Sequence, residues 1–347
     1  MFMKNRKLNI FDAGIAFVMA FVLAQITSVI GFTITEVILD ACGMTEAKIT
    51  AFWNGAFGYL LQAIYMNIGF ILVFIYYYKT RQKQPILQRP NQSTLKYVGV
   101  CVAIGIATLF LLSGLLNYWQ LLIDKLGFTS SSLSYELDSV KNYLISLVSL
   151  ALIPAVCEEL IFRGIITTAL KEKGQVFAVV LSSIMFSIFH FSPSQLLYPI
   201  CFGLILGIVY LKTRNILFPI LLHFINNALS LSIQYFSSDT SSVFTHSMMN
   251  LIYAIVTFAG WVCIMVYLFK DFKENIATKT NQNVNNNLAN EQNIDSVSTN
   301  NSTNNNISTQ NTTYKSTQDI ANDKLNKIVL YGSIALMVVI YLLLLSI

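Results

Sequence analysis

Nine stretches of this 347-residue chain are apolar over close to the twenty or so residues a helix needs to cross the hydrocarbon of a bilayer. They lie near 11–36, 51–78, 97–122, 143–170, 176–191, 195–212, 216–236, 247–269 and 328–347, the fifth and sixth being the shortest. Runs of that length predict an all-α fold: a polytopic transmembrane helix bundle of eight spans, with a C-terminal ninth set apart from the rest. Composition agrees. Charged residues make up 11% of the chain and mean hydropathy is +0.60, whereas a soluble globular domain carries roughly 25% charged residues. Soluble, collagenous and disulfide-scaffold classes are therefore excluded for the bulk of the chain.

The loops support the count. Lys4, Arg6 and Lys7 precede the first run and mark a cytoplasmic N-terminus, because basic residues collect on the cytoplasmic side. The first run is read as a spanning helix rather than a cleaved signal, being too long for a signal core and without a clear cleavage site. Basic loops follow at Lys79–Lys96, Lys171–Lys173, Lys212–Arg214 and Lys270–Lys279, and the loops between them carry little positive charge. In this setting the net charge of +5 reports topology, and nucleic acid is not an expected partner. The expected location is integral to the membrane, the cell (plasma) membrane.

Residues 271–325 differ in composition, being dominated by Asn, Ser, Thr and Gln. They hold too little apolar surface to offset chain entropy, so a disordered cytoplasmic linker is expected there. The organisation read from the sequence is N-terminal transmembrane helices over 1–142, core helices over 143–236, an eighth span within 237–270, the linker 271–325 and a C-terminal span over 326–347. The five cysteines, Cys42, Cys101, Cys157, Cys201 and Cys263, show no metal-ligand spacing and are read as small packing residues.

Ionisable groups inside a span are costly and point to function. The fourth span contains Glu158, Glu159 and Arg163. Glu159 and Arg163 stand at i,i+4 on one helix face and are expected to form a buried ion pair. Glu158 lies about 100° away around the helix with Phe at its own i+4 position, so it must point toward a cavity or another span. Pro154 cannot donate to the Leu150 carbonyl, which predicts a kink or a hydrated notch beside Glu158. Two of the three histidines of the chain also lie in spans: His190 in the fifth, and His223, with Asn227 at i+4, in the seventh. His246 falls in a loop and is read as a surface residue. Counting about 1.5 Å per residue from the nearest cytoplasmic basic residue puts Glu158 roughly 19 Å deep, His190 roughly 25 Å, His223 roughly 13 Å and Asn227 roughly 19 Å. Three helices thus bring polar groups toward one band in the membrane.

A carboxylate with an imidazole can hold and deprotonate a water, and a His/Asn pair can donate to a developing oxyanion. That set suffices for peptide hydrolysis without a covalent intermediate. The same side chains admit a zinc reading, with Glu158, His190 and His223 as two-His, one-carboxylate ligands, and a transporter reading, since buried Glu and His also build proton relays. Asn226, off the His223 face, is read as a residue that supports the site from behind or packs between helices.

The segments Glu158-Glu159-x-x-x-Arg163, Phe186-x-x-x-His190 and His223-x-x-x-Asn227, with Gly203-Leu204-Ile205-Leu206-Gly207 between the last two, resemble the motifs of the CAAX protease and bacteriocin-processing (CPBP) family of intramembrane glutamic endopeptidases. The resemblance covers about 90 residues. It implies Glu158 as catalytic base, His190 as its partner in placing water, His223 and Asn227 as the oxyanion site, and Glu159 and Arg163 as supporting residues, with no cofactor. The implied substrate is a membrane-associated peptide or protein. A non-catalytic scaffold or bacteriocin-immunity protein keeping the same residues for packing stands as the competing reading.

Overall fold

The computed structural model describes residues 6–81, 94–128 and 137–236, with isolated positions among 255–262 and 327–332. These residues form a helical bundle, and no strand occurs among them beyond one isolated bridge between Arg6 and Arg81. The helices are α1 (Ile10–Ala41), α2 (Glu46–Asn54), α3 (Ala56–Thr80), α4 (Thr94–Lys125), α5 (Val140–Lys173), α6 (Gln175–Ile188), α7 (Pro193–Thr213, opening with one 3-10 turn) and α8 (Leu217–Phe236). Six of them (α1, α3, α4, α5, α7 and α8) are long and apolar enough to cross a membrane.

Two expectations change in detail. The second apolar run is broken at Gly55, which ends α2 and opens α3. The expected fifth span is α6, with 14 residues. At 1.5 Å per residue it reaches about 21 Å, short of the roughly 30 Å of hydrocarbon. It stops because the chain takes a left-handed turn at Phe191 (φ 46°), and the turn that follows is held by Trp119 of α4, whose indole donates to the Pro193 carbonyl at 2.8 Å. The eighth and ninth spans, the linker 271–325 and His246 fall almost wholly outside the described residues. Of the few described there, Trp261 and Leu330 are buried in the two core clusters.

Lipid cannot supply a hydrophobic force between helices, so close packing of small residues must hold them together. α1 buries Ala13, Ala16, Ala20 and Ala24, and α3 meets that face at Gly69, where a Cβ would fall 2.4 Å from the Ala24 backbone nitrogen. The opposite face of α1 exposes Val22, Ile26, Val29, Ile30, Ile34, Val37 and Ile38, as a lipid-facing surface should. α7 packs on α6 through Gly203 and Gly207, whose added Cβ atoms would come within 3.0 Å of Ser183 and 3.1 Å of Val179. Gly69→Val is expected to separate α1 from α3, because backbone rather than a flexible side chain blocks the new methyls. The loss should be at least the ~1–3 kcal/mol of ordinary overpacking, read as a lower apparent Tm in detergent and a broadened size-exclusion peak.

At the end of the bundle expected to face the cytoplasm, Asp12 is fully buried and accepts from Arg6 at 2.7 Å and from Arg81 at 2.8 and 3.1 Å. It also closes a capping box with Asn9 at the start of α1. Burial pulls the Arg81 guanidinium downward, but its hydrogen bonds and attraction to Asp12 prevail and hold it above its ordinary value. Glu172, at the end of α5, accepts from the Ile10 amide at 3.0 Å. The clamp therefore ties α1 and α3 to the helix that carries the glutamates.

Candidate active site

α5 is one continuous helix with two widened, π-helical segments, Leu147–Leu152 and Leu160–Thr167, on either side of the α-helical Ile153–Glu159. Pro154 explains the first. It has no N–H, and its ring crowds the carbonyl four residues back, so the preceding turn opens. The Leu150 carbonyl so freed accepts instead from Asn227 Nδ2 of α8 at 3.3 Å. In the second segment, threonine hydroxyls take up loosened carbonyls. Thr167 donates to the Phe162 carbonyl at 2.8 Å and Thr168 to the Arg163 carbonyl at 3.0 Å. Both hydroxyls also reach neighbouring helices, Thr167 to Ser182 and Thr168 to Tyr210. Such π-bulges concentrate at functional sites, where they re-aim side chains; here they bracket Glu158 and Glu159.

The expected ion pair is present. Arg163 Nη1 donates to Glu159 Oε1 at 2.8 Å, and neither residue is exposed. Arg163 Nη2 donates to the Gly203 carbonyl at 3.3 Å. The guanidinium also lies over the Phe186 ring, 4.7 Å from its centroid. Glu159 Oε1 takes a second bond at 2.9 Å, from His223 Nδ1. An ionised carboxylate only accepts, so Nδ1 carries the proton and Nε2 points the other way. That Nε2 is 3.9 Å from Glu158 Oε2, too far for a direct hydrogen bond. The His223 ring stands edge-on to Phe186 and Phe202, so aromatic packing as well as Glu159 fixes its plane.

Glu158 is 8% exposed and turns away from the ion pair. Together with His190 it lines a partly open cavity of about 450 Å³ between α1, α3, α5 and the turn after α6. His190 Nδ1 is 2.8 Å from the Phe186 carbonyl. A carbonyl can only accept, so Nδ1 donates and the neutral ring keeps its lone pair on Nε2. Phe186 thus touches Arg163, His190 and His223 together. Its place in the Phe186-x-x-x-His190 segment is the only sequence signal it gave.

His223 and Asn227 are not among the residues lining this cavity. His223 approaches it through Glu158, and Asn227 is engaged with Leu150. Asn226, read from sequence as packing, is buried, hydrogen-bonded to Tyr198, and donates to Asn227 Oδ1 at 3.4 Å. The structure thus joins Glu159, Arg163 and His223 by hydrogen bonds, and Glu158 and His190 by a shared cavity. Asn227 stands one step removed. Among the described residues no three His, Cys, Asp or Glu side chains are gathered as a metal-ligand set, the Glu158, His190 and His223 combination included. Cys157 is buried and unbonded to other cysteines.

Sequence reasoning missed two parts of this arrangement. One is Asp12, whose capping box was legible as Asn9-x-x-Asp12. The other is the α1 and α3 wall of the cavity, including Phe21, Gln25, Gln62 and Asn67, which lies outside every motif.

Comparison with known proteins points the same way. Residues 140–229 match the family model described as type II CAAX prenyl endopeptidase Rce1-like. A Bacillus subtilis (strain 168) protein curated as "Putative membrane peptidase YdiL" is 26% identical over 176 residues, covering 48% of this chain and 69% of that protein. No solved structure matches. The matched segment spans α5 to α8 and contains both glutamates, Arg163, both intramembrane histidines and Asn227. Through this segment the chain is similar to CAAX-type membrane peptidases.

Proposed function

We propose that the protein is an intramembrane endopeptidase that hydrolyses a peptide bond of a membrane-associated peptide or protein with a water activated by Glu158 and His190. The observation that carries this reading is the division of labour between adjacent glutamates. Glu159 is consumed by Arg163 and His223, while Glu158 faces a cavity together with the free Nε2 of His190. A water held there can be oriented by His190 Nε2 and give a proton to Glu158 as its oxygen attacks the scissile carbonyl carbon. Glu158 then passes that proton to the leaving nitrogen as the C–N bond breaks. No protein nucleophile and no external reagent is required.

His223 is assigned to the developing oxyanion. Its Nε2 is turned toward Glu158 and donates when the ring is protonated. Asn227 retains a second amide N–H beyond the one given to Leu150, and is assigned beside it. Glu159 and Arg163 support His223. The chemistry uses no cofactor. The N-terminus and the 271–325 linker are assigned to the cytoplasm, a reading the basic loops support, and the cell membrane is the proposed site of action.

The test is quantitative proteomics of membrane fractions from cells carrying the wild type or Glu158→Gln. A precursor longer than its wild-type counterpart is expected to accumulate in the variant. If the two proteomes are the same while deletion of the whole protein has a phenotype, the scaffold reading prevails.

A further inference from the structure

The cavity that holds Glu158 and His190 runs in one direction along the bundle. On α5 its lining reaches from Ser149 to Glu158 and includes no later residue. On α3 it reaches from Tyr59 to Asn67, the half nearer the Ala56 start, and on α1 it begins only at Phe21. From Glu158 it therefore extends about 14 Å, at 1.5 Å per residue, toward the end of the bundle where α3 and α5 begin. In the other direction it is closed. The Phe189 ring meets Phe17, Phe70 and Phe162, with centroids 6.2, 5.3 and 5.7 Å away, and all three are fully buried. Arg163, also without exposure, follows Glu159 one turn later on α5.

Two features of the fold leave the upper part of this space accessible among the described residues. α6 ends about 9 Å short of the far side of the hydrocarbon, so it lends no wall beyond His190. α1 buries residues at each turn as far as Ala24 and after that only Thr35, which is hydrogen-bonded to Tyr65 of α3 at 2.7 Å. Its second half thus stays with α3 and leaves the rest of the core. Gln25, Gln62 and Gln195 line the cavity here and are exposed. Polar side chains within a span are costly against lipid and are kept where they border a wet cavity. Water, the second reactant of hydrolysis, has its route along the same surface.

The closed end is the one that carries Arg6, Arg81, Lys171, Lys173, Lys212 and Arg214, and is the end assigned to the cytoplasm. Among the described residues the open end carries only Lys48, Lys125 and Lys141 as basic groups. We propose that substrate and water reach Glu158 from the non-cytoplasmic side, through the cleft between the second half of α1 and the turn from Phe189 to Gln195. The assignment rests on the peptidase reading above and narrows its substrate class. The scissile bond belongs to a peptide or membrane-protein segment exposed in the non-cytoplasmic half of the bilayer or outside it, and not to a cytoplasmic tail.

The experiment first screens short internally quenched peptides of Ala, Val, Leu, Phe and Ser, with an arginine at each end, against the full chain in lipid nanodiscs, keeping the best one whose cleavage is lost with Glu158→Gln. That peptide is then added to sealed membrane vesicles containing the full chain, either right-side-out or inside-out. Right-side-out vesicles are expected to cleave it at nearly the rate seen after opening with detergent. Inside-out vesicles are expected to be at least about tenfold slower until opened, since unpaired backbone groups and charge keep the peptide out of hydrocarbon. A second arm replaces Cys42, an exposed native thiol, by serine and reads labelling against that parent. Gln195→Cys in this background is expected to react with a membrane-impermeant maleimide from outside intact cells and then to lose most of its own unlabelled cleavage rate. Gln62→Cys serves if Gln195→Cys does not fold, and Lys79→Cys, at the basic end, should react only from the cytoplasmic side. Faster cleavage by inside-out vesicles, equal rates in both, or labelling of the glutamine positions from the cytoplasmic side alone overturns the assignment and leaves the peptidase reading intact. Absence of Glu158-dependent cleavage even in opened vesicles overturns both.

Discussion

Glu158→Gln is expected to reduce peptide cleavage by about two to four orders of magnitude, the range that a positioned general base supplies, while apparent stability stays near that of the wild type. The two halves of this expectation have separate grounds. Glutamine keeps the shape of the side chain and its polar contact with the cavity, but its amide does not take a proton from water. Glu158 is also the glutamate without a guanidinium partner; its nearest ionic neighbour is His223 Nε2 at 3.9 Å. Little of the fold therefore depends on its charge. Steady-state cleavage of the peptide substrate in nanodiscs, alongside thermal unfolding in the same lipid, checks both. Activity is expected to persist after treatment with a membrane-permeant chelator, since in the proposed mechanism Glu158 and His190 activate the water without a metal. Loss of activity restored by zinc overturns the glutamate mechanism, as does cleavage that survives Glu158→Gln.

Arg163→Leu is expected to be the most destabilising single change at the site. It leaves the Glu159 carboxylate, with no exposure, against His223 alone and removes the bond to the Gly203 carbonyl. Breaking one side of a buried ion pair costs about 3–5 kcal/mol, because the remaining charge can neither reach water nor find a counter-charge. Glu159→Gln in the same chain should recover most of the loss. The neutral amide still accepts from His223 Nδ1 through its oxygen and has no charge to strand. Apparent Tm values of the two single variants and the double variant form a thermodynamic cycle that isolates the pair. Additive losses, with no recovery in the double variant, would show that Arg163 acts through packing on Phe186 alone.

The helical bundle was legible in the sequence because lipid leaves few options. A run of apolar residues in a chain with so few charges must satisfy its backbone internally, and the runs corresponding to α1, α3, α4, α5, α7 and α8 all emerge as helices of spanning length. Where the reading erred, the cause was local. Gly55 broke one run and a left-handed Phe191 shortened another; a window of hydrophobicity does not register backbone turns. The Glu159–Arg163 pair followed from i,i+4 spacing within one helix. The outward direction of Glu158 followed from the same geometry, since a helix turns about 100° per residue.

Relations between helices were not legible to the same degree. Depth counting brought His190, His223 and Glu158 to a common band but carried no information on rotation. Thus it did not reveal that His223 bonds Glu159 rather than standing free, or that Asn227 serves the carbonyl that Pro154 releases. Asp12 passed unnoticed because its partner Arg81 is 69 residues away in the chain. The same holds for the cavity wall of α1 and α3.

The sequence by itself determined that this chain is a membrane helix bundle with ionisable groups committed to its interior, because hydrophobic length and intrahelical spacing are properties of single segments. Only the tertiary structure decided which glutamate is occupied and which is available, which nitrogen each histidine keeps free, and that residues of α3 line the same space as Glu158. Those depend on how helices rotate and press together, which the small-residue contacts at Gly69, Gly203 and Gly207 set. No single segment contains that information.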